Sequence, residues 1–132
     1  MMKISREDIS MINGINHVAI IVSKEECLDF YRKLGFVVTS RTYRPEKNDV
    51  LIMMEKGSAV LEVFIRPDAP LRLCKPEAYG CRHIAFDVDN VEEILELLKD
   101  YECQPIRKTE TGRRFVFISD MDHQPVEFLE KI

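Results

Sequence analysis

Histidine and glutamate recur in this chain in a pattern that metal or acid–base chemistry can use. His17 opens His17-Val18-Ala19-Ile20, and half a chain length later His83-Ile84-Ala85-Phe86 repeats it. Glu62 lies within Val60-Leu61-Glu62-Val63-Phe64, and Glu127 within Val126-Glu127-Phe128-Leu129, one residue short of the same offset. An ionised carboxylate in an apolar strand is costly unless it meets a cation or a donor. Two imidazole nitrogens and two carboxylate oxygens form a mixed donor set suited to Zn, Ni, Co, Mn or Fe(II), and four protein ligands leave two positions of an octahedron for a substrate. A lone histidine among apolar residues is ordinarily part of a core. The recurrence of His and Glu together, in register, favours ligation by His17, Glu62, His83 and Glu127.

The elements that must position these residues follow from periodicity. Alternation predicts strands near 15–22, 36–44, 49–56 and 58–65, and again near 81–88, 103–107, 113–119 and 125–130. Apolar Cys27, Phe30, Tyr31 and Leu34, and likewise Val91, Ile94, Leu95 and Leu98, fall at helical spacing and predict helices near 24–34 and 90–101. Ser23 with Glu26, and Asp89 with Glu92, have the spacing of capping boxes. Each half therefore reads βαβββ, giving an α+β chain of two repeat modules, about 13–66 and 80–132, within one domain over 1–132. The prolines of Arg66–Gly80 suit a linker, and the residues after Ser5 suggest a helical turn or loose arm. Within each histidine strand, His17 and Ala19 share one face and His83 and Ala85 another, so a small residue leaves a hollow beside each imidazole.

Composition narrows the class of partner. In 132 residues, 45% hydrophobic and 32% charged side chains supply a core and a solvated surface. Lys+Arg 19 against Asp+Glu 23 leaves a net charge of −4, without the basic excess that phosphate backbones demand, so nucleic acid is not an expected partner. The first residues lack the apolar run of a signal peptide, and no stretch is long enough to span a bilayer; a cytoplasmic protein with no membrane partner is expected. Cys27, Cys74, Cys81 and Cys103 show no paired motif and are expected as thiols.

Other residues invite a role. Arg114, at the start of Phe115-Val116-Phe117-Ile118, would clamp a substrate carboxylate or phosphate if it pointed inward. His123 in Asp120-Met121-Asp122-His123 reads as a turn residue, Cys81 as a small strand residue close to His83, and Asp87 as a neighbour that orients His83 or faces water.

The segments Asn16-His17-Val18-Ala19-Ile20, Asp29-Phe30-Tyr31 through Leu34-Gly35-Phe36, Gly80-Cys81-Arg82-His83-Ile84-Ala85-Phe86 and Asp120-Met121-Asp122-His123-Gln124-Pro125-Val126-Glu127 resemble the vicinal oxygen chelate superfamily, which includes glyoxalase I, bleomycin-resistance proteins and extradiol dioxygenases. The resemblance covers nearly the whole chain. It implies two pseudo-two-fold-related βαβββ modules forming an open, cupped eight-stranded sheet, commonly in a homodimer, and it places the family's metal ligands at His17, Glu62, His83 and Glu127. This ligand set is most similar to that of glyoxalase I. Ile21 and Arg66 stand where glutathione-using members often carry Arg and Asn. The short length and the run from Pro76 to His83 resemble compact bacterial glyoxalase I-like proteins, related to lactoylglutathione lyases.

The expected function is a metal-dependent lyase or isomerase acting on a small vicinal-oxygen substrate, such as a methylglyoxal–thiol hemithioacetal, through a metal-stabilised enediolate. Glu127 or Glu62 would serve as the general base. A small-molecule sequestering protein, such as an antibiotic binder, and an Fe(II) extradiol-type dioxygenase are the competing readings. Metal content separates the first from the enzyme, and oxygen consumption separates the second.

Overall fold

Residues 11–131 are described by a computed structural model; the helical turn expected after Ser5 lies outside them. The first module runs β1 (Val18–Val22), a 3₁₀ turn (Glu25–Leu28), α1 (Asp29–Lys33), β2 (Val37–Arg44), β3 (Asp49–Lys56) and β4 (Ala59–Ile65). The second runs β5 (Ile84–Val88), α2 (Val91–Leu97), β6 (Glu102–Cys103), β7 (Arg107–Lys108), β8 (Arg114–Ser119) and β9 (Pro125–Glu130). The histidine strand of each module lies parallel to its glutamate strand, β1 on β4 and β5 on β9, and the remaining pairings are antiparallel. Strand order is β1-β4-β3-β2 in one sheet and β5-β9-β8-β6 in the other, with β7 also on β8. The duplication read from the sequence is thus a duplication of topology.

Four expectations need correction. The strands form a four-stranded and a five-stranded sheet rather than one eight-stranded sheet. The strand expected at 103–107 is broken into β6 and β7, because Pro105 between them has no N–H to give the ladder. Both helices are shorter than expected, and neither capping box forms. Lys24 precedes the 3₁₀ turn without a side-chain bond, whereas the N–H of Ser23 donates to Asp122 Oδ2 at 2.8 Å. In the second module Asn90, not Asp89, sits at the extended N-cap and accepts from the Glu93 N–H at 2.9 Å. Gly35 ends the first helix with φ +97°, a conformation that L side chains rarely adopt.

Alternation along each sheet sends one face inward. Ile20, Val22, Ile52, Met54, Leu61 and Val63 of the first sheet, and Val116, Ile118, Val126 and Phe128 of the second, belong to one buried cluster with Phe30, Tyr31, Val91 and Leu98. The modules meet through that cluster. Phe36 lies against Phe86 with centroids 5.6 Å apart, Phe30 against Tyr101 at 5.0 Å, and the Tyr31 hydroxyl donates to Asp120 Oδ2 at 2.6 Å. Since the apolar faces are spent on this junction, the opposite faces of the sheets, which carry the histidines and glutamates, are left open. Among the described residues no helix is long and apolar enough to cross a membrane.

Candidate metal centre

Register places each glutamate beside the hollow next to its histidine. Glu62 pairs across the ladder with Ala19, and Glu127 with Ala85, so neither carboxylate is screened by a bulky neighbour on the histidine strand. His17 Nε2 stands 3.8 Å from Glu62 Oε1, and His83 Nε2 stands 3.0 Å from Glu127 Oε1. The same ring nitrogen faces the same type of oxygen in both modules.

The donor types, imidazole nitrogen and carboxylate oxygen, suit a divalent ion. With metal–ligand bonds of about 2.0–2.2 Å, two cis ligands stand about 3.0 Å apart in an octahedron and about 3.4 Å apart in a tetrahedron. The second-module pair matches the first figure, and the first-module pair is somewhat wider. His17 Nδ1 lies 2.7 Å from Asn16 Oδ1, within hydrogen-bond distance. The other ring nitrogen, Nε2, faces the Glu62 carboxylate. An outer acceptor on the second ring nitrogen is the usual way a ligating histidine is oriented. His83 lacks this partner: its Nδ1 is buried without a hydrogen bond. Its ring is instead held edge-on by Phe117, with centroids 4.9 Å apart.

The expectation that all four ligands converge within the chain is not met. Among the described residues no group of three or more His, Cys, Asp or Glu side chains is placed to hold one ion. The physical reason is the back-to-back junction, which turns the two open faces away from each other. His83 and Glu127 line a cavity of about 940 Å³ between the open face of the second sheet and the linker strap around Leu71–Arg82. His17 has its side chain 38% exposed, and its neighbours on β1 border a smaller cavity of about 390 Å³, which Ile84 and Leu71 also line.

Arg114 also departs from expectation. Its parity puts it on the helix side of β8, where it donates to both oxygens of Glu92 at 2.7 Å and to Glu130 at 2.6 and 3.0 Å. The two carboxylates raise its pKa and consume its donors, so it ties α2 to β9 and does not clamp a substrate. The sequence reading missed the cations that do border the cavity: Arg72, Lys75, Arg82 and Arg107. Arg107 sits on a two-residue strand with no periodic signal, though its position one pairing step from Phe115 would have been visible had the Pro105 break been anticipated. His123 adopts φ 67° at the turn, as its reading predicts, and lines the cavity 3.8 Å from Glu102 Oε2. Cys81 is exposed and directs its thiol to the His83 carbonyl, not to the imidazole. Asp87 pairs at 3.5 Å with Arg113.

Buried carboxylates elsewhere hold the open faces in place. Burial pushes Asp120 up despite the Tyr31 hydroxyl and the N–H groups of Asp122 and Gln124 that favour its charged form. Asp49, with its side chain fully buried, is gripped by both arms of Arg44 at 2.7 and 2.8 Å, and that guanidinium holds its pKa down.

Comparison with known proteins gives a consistent picture. The model of the Glyoxalase/Bleomycin resistance protein/Dioxygenase superfamily matches residues 14–128. The chain is 41% identical over 127 residues to the uncharacterized protein YwkD of Bacillus subtilis (strain 168), covering 92% of this chain and 99% of that one. A glyoxalase family protein from Enterococcus faecalis superposes with TM-score 0.83 at 39% identity, over 89% of this chain and 98% of that one. At 17% identity and TM-score 0.71, over 90% of this chain and 93% of the other, the fold matches a glutamate-to-glutamine mutant of the fosfomycin resistance protein FosX of Listeria monocytogenes. That structure is complexed with Mn(II) and 1S,2S-dihydroxypropylphosphonic acid.

Proposed function

Because the chain belongs to the glyoxalase/bleomycin resistance protein/dioxygenase superfamily, we propose that it is a metal-dependent lyase or isomerase of the glyoxalase I-like type, acting on a small substrate with vicinal oxygens. The observation that carries this reading is the pair of His–Glu couples, His17 with Glu62 and His83 with Glu127, each Nε2 facing an Oε1 on an open sheet face. FosX lends fold-level support, since its complex contains Mn(II) and a vicinal diol.

Each chain supplies two half-centres, and the complete centre forms between two copies, with the His17–Glu62 face of one protomer set against the His83–Glu127 face of its partner. Exposed Ile21, Leu71 and Leu73 give the open side apolar area for such a contact. His17, Glu62, His83 and Glu127 would hold a divalent ion, which when bound supplies Lewis-acid polarisation of paired substrate oxygens. Glu127, half-buried against His83 and Phe117, holds a proton-accepting oxygen at the wall of the cavity, while Glu62 offers one on the opposite face. Phe117 and Phe115 give that wall an apolar surface. The methylglyoxal–glutathione hemithioacetal is the first substrate to assay, with one metal supplied at a time.

Complementation tests the shared centre directly. H17A and H83A homodimers each have both centres damaged, but a mixed dimer of the two has one intact centre and one doubly damaged. After co-refolding equal amounts, the bound metal should recover to about a quarter of wild type, since about half the dimers are mixed and each carries one centre of two. Recovery of nothing would sink the shared centre. Full metal binding by H17A and H83A alone would sink the ligand assignment.

A further inference from the structure

The linker strap beside the large cavity is fastened by side chains. Among the described residues no backbone–backbone hydrogen bond involves Pro70 through Cys81, and Lys75 through Arg82 are exposed. A segment of this kind shifts at little cost. Arg72 joins the two ends of its turn. Nη1 lies 3.5 Å from Cys74 Sγ, while Nη2 donates to the carbonyls of Cys81 and Arg82 at 3.4 and 2.8 Å. One planar guanidinium therefore spans from Cys74 to Cys81.

Each of these thiols makes one contact of its own, and both contacts lead to the cavity wall. Cys74 Sγ donates to the His123 carbonyl, in the turn between β8 and β9, at 3.6 Å. Cys81 Sγ donates to the His83 carbonyl, at the start of β5, at 3.7 Å. A thiol is a weak donor, so neither tie is strong. The other two cysteines lie apart from the strap: Cys27 is buried beside Ser23, and Cys103 Sγ donates to the Leu98 carbonyl.

We infer that Cys74 and Cys81 form a reversible dithiol switch that changes how the strap is fastened. As thiols, the two tie the strap to the His83 and His123 carbonyls. As a disulfide, both sulfurs lose the hydrogen they donate, so both ties end and the strap is stapled to itself instead. His83 and His123 line the large cavity, so oxidation loosens the strap from the wall at both places. A peroxide is a sufficient oxidant. One sulfur takes an oxygen from hydrogen peroxide and water leaves; the second sulfur displaces that oxygen as another water and the S–S bond forms. The two thiols give up two electrons and two hydrogens, and the peroxide accepts them. A disulfide requires α-carbons within about 7 Å, and turn ends that share one guanidinium and carry no main-chain bonds are free to close to that separation.

The test uses chelator-treated, ¹⁵N-labelled full-length protein, exposed to hydrogen peroxide and then to dithiothreitol. Expected is a fall from four free thiols to two, with the tryptic peptide Leu73–Arg82, which holds both cysteines, lighter by two hydrogens. The amides of Ile84 and Gln124, which follow the two released carbonyls, should shift on oxidation and return on reduction. C74S and C81S should each abolish the pairing, and C103S should leave it intact. Four remaining thiols, oxygen added at Cys74 or Cys81 in place of hydrogen lost, or a bond between chains or to Cys27 or Cys103 would overturn the pair. A disulfide that leaves both amides in place would overturn the change of fastening, as would a loss of spectral dispersion, which would show unfolding and not a local switch. Because the protein is free of metal and neither sulfur belongs to the His–Glu couples, failure here leaves the proposed metal centre standing, and failure of that centre leaves the dithiol standing.

Discussion

At the scale of single residues, carboxylates outside the His–Glu couples do structural work. Asp49 is the clearest of the structural group. The Arg44 guanidinium stabilises its charged form, and Arg44 in turn lies 4.9 Å over the ring of Phe64, on the same open face as Glu62. A folded-state pKa below the unfolded value means the folded state binds fewer protons. The stabilisation is therefore complete above the unfolded value of about 4 and disappears as pH falls through the lower folded value. D49N should accordingly lower Tm at pH 7, and the gap to wild type should close as pH drops below about 4. Thermal unfolding at stepped pH reads this, and a gap independent of pH would refute the ionic role. Asp120 has the opposite sign. Burial raises its pKa, so its effect is most favourable at low pH and is lost as pH rises from about 4 through the folded value. Removing its shortest partner with Y31F leaves a buried carboxylate short of one donor and should cost about 1.5–3 kcal/mol at pH 7, measured by denaturant unfolding.

At the scale of elements, what could be read from the sequence was set by how regular the signal was. Strands with strict alternation, such as Ala59–Ile65 and Pro125–Glu130, lie within a residue of their expected places because one face is buried and the other is not. The glutamates stood out for the same reason, as charges in otherwise apolar runs. Elements decided by a single local competition were not legible. Asn90 displaced Asp89 as the cap, Pro105 split a strand, and Arg114 took the helix side of β8 once the register was fixed. Arg114 shows the consequence. Its contacts to Glu92 in α2 and Glu130 in β9, together with the Val91 N–H donating to Glu130 Oε2 at 2.8 Å, make a clasp between helix and sheet. R114Q should lower Tm more than R41Q, which alters an exposed pair of similar geometry. Amide exchange in Val91–Leu97 should quicken in R114Q; unaltered protection there would show that the clasp does not hold the helix.

At the scale of the whole molecule, the repeat told more about content than about assembly. Two equivalent His–Glu couples were legible because duplication writes itself twice in the chain, but periodicity says nothing about whether two modules join by their open faces or by their backs. Here the junction of Phe30, Phe36, Tyr31 and their partners uses the backs, so in the proposed shared centre the open faces meet between chains. Metal binding and self-association then become linked equilibria. An ion that needs ligands from two protomers binds the dimer and not the monomer, so it pulls association forward, and association raises its apparent affinity by the same factor. Sedimentation velocity at low micromolar concentration should show a larger dimer fraction with a divalent ion present than after chelation. In H83A the ion should have no effect on that fraction. Apparent metal affinity should also rise with protein concentration until the dimer saturates. Stoichiometric, concentration-independent binding by a monomer would instead mean that one couple, completed by solvent, suffices to hold the ion, and the shared centre would give way to two separate half-centres.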